Sequence, residues 1–161
     1  KVYERLAKLL LSLWRKPLED LWRLTAQRTQ MRRNELDAWN EANIDAVICP
    51  PHVLPAMPLG SSGELTLTLS YMFRYVMLNF AAGVVPVTRV AENETSWQGP
   101  APRDGIAKRC AEAVRGSAGL PVGVQVVSRP YREDVALAVM AAIEAAAESD
   151  PSYPKTPIDP L

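Results

Sequence analysis

The sequence predicts an α/β layered fold with an incomplete sheet. Three short apolar runs, at 46–49, 84–90 and 119–127, read as strands. They alternate with longer segments whose apolar residues recur every three or four positions, and three strands are few for 161 residues. A hydrophobic fraction of 48% supplies one ordinary core, and 22% charged residues is too few to keep the chain disordered.

In chain order, Leu6, Leu9, Leu10 and Leu13 fall at helical spacing with Trp14 at the edge of the stripe, which predicts an amphipathic helix over 1–16. Pro17 suits the first turn of a second helix. Leu18, Leu21, Trp22, Thr25, Arg32, Leu36 and Trp39 carry that helix to Asn43, a length of roughly 40 Å. The run 46–49 is apolar and β-branched, and Pro50 and Pro51 stop it, so it reads as a buried strand of the parallel-sheet kind. A Pro- and Gly-rich loop leads to 65–78, apolar at nearly every position and expected as a buried helix, within which Arg74 needs a partner. Gly83 is expected to break that helix before the strand 84–90. A polar loop, a short helix over 105–114, the strand 119–127 and a helix over 134–147 follow. Pro151, Pro154, Pro157 and Pro160 recur every third residue, a spacing that suits extended polyproline, so 148–161 is expected as a Pro-rich disordered tail.

The formal net charge of zero excludes a nucleic-acid binder that recruits phosphates by global positive charge. The zero divides unevenly. Residues 1–33 hold nine basic and three acidic side chains, a basic head on an acidic body. Cys49 and Cys110 have no neighbouring Cys or His at metal-ligand spacing, so neither a disulfide framework nor a metal site is expected, and reduced intracellular thiols are. No apolar run approaches the ~20 residues of a membrane span. The chain starts at Lys1 inside a helical pattern, without Met, and reads as part of something longer.

Self-contained catalysis is thin. His52 is the single histidine, set in a proline-rich loop, and a loop-mouth or solvated histidine is favoured over a catalytic one. Ser61 and Ser62 in GSSGE, and Ser117 in RGSAG, sit in segments common in plain turns, and no G-x-S-x-G elbow occurs. Glu133 and Asp134 suit a helix N-terminus. Asn93-Glu94-Thr95 matches a glycosylation sequon and, with no secretory signal, reads as a bare loop.

Two segments are more specific: NFAAGVVPV at 79–87 and GLPVGVQVV at 119–127. Gly and Pro inside or just before an apolar strand are costly unless tight turns or close backbone approach require them. Together with DAVICPP at 45–51, in this order and spacing, they resemble the C-terminal part of the amidase signature family over 18–147. Within it the chain is most similar to the members that cleave fatty acid amides.

The resemblance implies a mixed β-sheet core flanked by helices, of which this chain holds the C-terminal portion. It implies a cap and membrane-contact segment over 1–16 (Leu6, Leu9, Leu10, Leu13, Trp14), shortened relative to the family, and 17–147 as amidase domain. Interfacial binding suits the Leu stripe and its cations. A helix packed on its own protein with a solvated basic face fits equally. The family's chemistry is a Ser, cis-Ser, Lys triad, and Lys1, Lys8, Lys16, Lys108 and Lys155 all stand outside the matching context. The segment alone is therefore expected to be inactive, with no cofactor. Its contribution is the wall of an acyl channel at Thr66, Leu69 and Phe73, with plain core packing as the alternative. A family aromatic on the short helix aligns with Ile106, which implies altered chain-length preference. The expected partners are a lipid amide substrate, a peripheral membrane surface and a homodimer mate, with no nucleic acid. A soluble small-molecule amidase and a non-catalytic membrane-associated module are the alternative functions.

Overall fold

The computed structural model describes residues 2–13 and 15–154. The elements run α1 Val2–Ser12, α2 Leu18–Glu41, β1 Ala46–Cys49, α3 Ser62–Leu65, a 3-10 turn Thr66–Thr68, α4 Ser70–Leu78, β2 Ala81–Arg89, a 3-10 turn Glu92–Glu94, α5 Gly105–Ala113, β3 Pro121–Ser128 and α6 Glu133–Ala147. The α/β class expected from the alternation of periods is what the chain adopts. The strands form an open sheet in the order β1-β3-β2.

Both pairings are antiparallel, with Cys49 opposite Gln125 and Val84 opposite Gln125 from the other side. The parallel character expected of 46–49 is thus corrected. Its apolar run suggested burial on both faces, but β1 is an edge strand and leaves Ile48 56% exposed. Because side chains alternate, Val47, Cys49, Gln125, Val127, Ala82 and Val84 share one face, while Val126, Gly83 and Val85 share the other. Helix α6 covers the second face so closely that a Cβ on Gly83 would meet Met140 Sδ at 2.5 Å. Gly83 therefore serves close packing within β2 and does not end a helix.

The first face carries a core of Trp39, Leu78, Phe80 and Val127, with Leu36, Ile44, Val47, Cys49 and Tyr75 packed on it. The Trp39 and Phe80 rings meet edge to face, centroids 5.0 Å apart. A second cluster of Leu54, Leu65 and Cys110, with Met57, Ile106, Ala113 and Val114, joins the loop after β1 to α3 and α5.

Helix α2 ends where Asn43 turns to φ 52°, and the Ile44 N–H donates to Trp39 O at 2.9 Å. The Arg129 guanidinium fills in behind, donating twice to Ile44 O and once to Asn40 Oδ1 at 2.7 Å. Ile44 O lies just past the helix, so the arginine braces the turn that follows α2 and does not cap the helix carbonyls. It also ties the start of β1 to the segment after β3.

The single helix expected over 65–78 is broken. Thr66 Oγ1 donates to Ser62 O at 2.8 Å and Thr68 Oγ1 to Leu65 O at 2.5 Å, side-chain bonds that compete with the helical ladder, and Leu69 leaves helical geometry at ψ 19°. Helix α4 then ends at Asn79, φ 63°, with the Phe80 N–H donating to Tyr75 O. Nor is α4 buried: Tyr71, Met72, Phe73, Val76 and Met77 are all exposed.

The expected tail begins with packed residues. Asp150 Oδ1 accepts from Ser152 N and Oγ, Ser152 Oγ lies 2.8 Å from Thr88 Oγ1, and Tyr153 is buried and donates to Glu144. Proline spacing suggested an extended backbone, but the Tyr153 N–H donates to Asp150 O at 3.0 Å and closes a turn. Residues 155–161 lie outside the described residues.

Candidate functional site

The site is built on the 3-10 turn and α4. Leu69 is half-buried at the N-terminal boundary of α4, and Phe73, one turn on and 48% exposed, donates its N–H to Leu69 O at 3.0 Å. This i, i+4 pair shares a helix face. Thr66 belongs to the turn before the break, half-buried, its hydroxyl engaged with Ser62 O and Gly63 O. The three residues follow one another along the chain, but Thr66 does not share a continuous helix with Leu69 and Phe73. They face the surface: the apolar side of α4 is continued by Met72, Val76 and Met77.

Two interactions hold this surface in place. Arg74 donates from Nη2 to Glu35 Oε2 at 2.6 Å, which provides the partner its position demanded. Glu35 also accepts from Trp39 Nε1 at 3.1 Å through its other oxygen. The adjacent carboxylate raises the Arg74 guanidinium above its ordinary value, so it stays charged. On the inner side, Tyr75 packs against Phe80 and the Trp39 core.

Ahead of the turn, the loop 50–56 and the strands enclose a cleft of about 380 Å³ lined by Pro51, His52, Leu54, Val84, Val122 and Gly123 among others. A second groove, about 620 Å³, follows α2 past Leu21, Trp22, Thr25, Thr29 and Arg33. Neither is lined by Thr66, Leu69 or Phe73. The sequence marked the segments 45–51, 79–87 and 119–127 and His52 separately, but not that they wall one cleft, because the sheet brings together residues about 70 positions apart. His52 is half-buried in the cleft wall and hydrogen-bonded at both ring nitrogens, to Leu54 and to Thr68, so of the loop-mouth and solvated alternatives the structure excludes the solvated one.

The other nucleophile candidates are occupied in ordinary structural bonds. Ser61 Oγ donates to Pro58 O and Ser117 Oγ to Val114 O, each at 2.7 Å. Burial pushes the Cys49 thiol up, against a weaker opposing effect of the Gln125 amide 3.5 Å away, and burial likewise raises Cys110. Both stay protonated and poorly nucleophilic near neutral pH. Among the described residues no group of His, Cys, Asp and Glu could hold a metal ion.

Of the membrane-contact residues, Leu10 and Leu13 on and just after α1 are 57% and 71% exposed, beside exposed Lys8, Arg15 and Lys16. The side chains of Leu6 and Leu9, and all of Trp14, lie outside the described residues. No helix among the described residues is long and apolar enough to cross a membrane.

An open antiparallel sheet between helices, with glycine-proline strands that admit close backbone approach, is consistent with part of an amidase-signature fold. The Amidase family model matches residues 4–137, and the chain belongs to the amidase family. It is similar to fatty-acid amide hydrolase 1 of Sus scrofa, 36% identical over 143 residues, which cover 87% of this chain and 24% of that protein. It is also similar to fatty acid amide hydrolase 1 of Caenorhabditis elegans, 33% identical over 147 residues, 90% of this chain and 26% of that one. The chain spans about a quarter of the length of the curated relatives it matches.

Proposed function

We propose that this chain is the scaffold and acyl-channel portion of an amide hydrolase that cleaves fatty acid amides to the free acid and amine. The observation that carries this is the apolar side of α4: Leu69 and Phe73 one turn apart, extended by Met72, Val76 and Met77, on a helix anchored underneath by Glu35 and the Trp39 core. A lipid acyl chain offers only apolar surface, worth about 0.8 kcal/mol per methylene buried. Such a face reads chain length through contact area. The identities to two fatty acid amide hydrolases support the same substrate class.

The acyl-transfer machinery of this reading is a serine nucleophile activated through a second serine by a neutral lysine, contributed by protein beyond this segment. Ser61 and Ser117 are bound to backbone carbonyls, and Lys108 lies exposed on α5, so no such trio assembles among the described residues. The segment's part is to position substrate and exclude water. In the same reading α1 and its flanking cations rest on a membrane surface from which the lipid arrives.

Two measurements test the proposal. The 161-residue chain alone is expected to take no fluorophosphonate label, while the full-length chain carrying it is labelled. In the full-length chain Phe73→Ala should raise KM for a long-chain amide such as oleamide by about tenfold and leave a short-chain amide unchanged. Equal loss on both substrates would return α4 to a purely structural role and favour a small-molecule amidase.

A further inference from the structure

The hydrogen bonds around His52 select its tautomer. Thr68 Oγ1 donates its one proton to Leu65 O at 2.5 Å, so towards His52 Nε2, 2.8 Å away, it can only accept. Nε2 therefore carries the hydrogen. Nδ1 is then the bare nitrogen, and it accepts the N–H of Leu54 at 3.1 Å. The chain of donors runs in one direction, from the Leu54 amide through the ring to the Thr68 hydroxyl and the Leu65 carbonyl. It links the loop 50–56 to the break before α4, and Leu54 and Leu65 at its two ends are both buried in the second core cluster.

We propose that His52 is a positioning residue: through its Nε2–H tautomer it latches the loop 50–56 onto the turn that bears Thr66 and Leu69. Without the latch the amide of Leu54, a buried residue, loses its acceptor and the turn loses its tie to the loop. The consequence for substrate rests on the acyl-channel reading above: with the latch gone, the wall at Thr66 and Leu69 loosens. The latch itself does not depend on that reading.

In the full-length chain the His52 ring is identified as the imidazole 15N pair that His52→Gln removes, and it is expected to show an unprotonated Nδ1 and a protonated Nε2. Thr68→Val removes the acceptor of the Nε2–H, so the amides of Leu54 and of residues 66–69 should exchange about tenfold faster after correction for intrinsic rates, the size of losing about one hydrogen bond. Thr68→Ser, which keeps the hydroxyl, should restore both the tautomer and the exchange rates of the unsubstituted protein. A protonated Nδ1 in the unsubstituted protein, or amides at 66–69 indifferent to Thr68→Val, overturns the proposal. The channel reading fails separately, if Phe73→Ala leaves chain-length preference unaltered while the Thr68 variants behave as stated.

Discussion

Glu35 and Arg74 are 39 positions apart in sequence and 2.6 Å apart in space. The carboxylate is mostly enclosed, at 15% side-chain exposure, whereas the guanidinium is 60% exposed. Glu35 thus acts as the fixed end of the pair, its second oxygen holding the Trp39 indole. Through it α2 orients the helix that carries Phe73.

Glu35→Gln keeps an acceptor for Trp39 and removes the ion pair, so it should cost little, about 0.5 kcal/mol, because the exposed arginine is screened by solvent. Glu35→Ala also strands the Trp39 N–H and should cost about 1–2 kcal/mol in urea unfolding. Equal costs for the two substitutions would show that the indole bond is idle.

Gly83 and Gly123 should respond differently to alanine. At Gly123 a Cβ would lie 2.8 Å from Val85 O, a backbone atom fixed by the strand pairing, whereas at Gly83 it would meet the flexible end of Met140. Gly123→Ala is therefore expected to destabilise by about 1–3 kcal/mol, and Gly83→Ala by less. Thermal unfolding of the two variants gives the order.

Burial and the nearby Glu144 carboxylate raise the Tyr153 phenol above its ordinary value of 10.0. A group whose folded pKa is raised stabilises the fold below its unfolded pKa, and that contribution is lost as pH rises through the folded value. The strap at 150–154 should accordingly come off α6 above about pH 10. Tyr153→Phe should abolish that alkaline step in amide exchange of residues 150–153 while leaving neutral-pH packing largely intact.

Leu10 and Leu13 are exposed apolar residues among cations. If α1 docks on lipid, replacing both with Asp should reduce cosedimentation with phosphatidylserine vesicles by about tenfold or more, since each leucine loses roughly 1.5–3 kcal/mol of burial. Unchanged cosedimentation would leave α1 as a solvent-facing or protein-packed helix.

Periodicity located most elements to within a few residues: α2, α5 and α6 lie where three- and four-residue spacing put them, and β3 follows the glycine-proline motif that opens it. The errors are concentrated between residues 62 and 83. Thr66 and Thr68 look like helix interior by pattern, but their hydroxyls bond backward to Ser62 and Leu65 and break the rod. Gly83 looks like a stop by composition, yet the stop is Asn79 in the left-handed region. Such outcomes depend on which hydrogen bond wins among near neighbours, a contest that apolar spacing does not record.

The sequence by itself determined the α/β class and the family, because strand and helix periods are local and the three glycine-proline motifs come in one order. It also foretold that Arg74 needs a partner, since a charge in an apolar run must be compensated. Only the tertiary structure decided that the partner is Glu35, that β1 runs antiparallel beside β3, and that His52 meets Thr68. Each of these joins segments separated by a loop or a helix, and direction and pairing across such gaps are set by chain closure and packing, not by the residues of either segment alone.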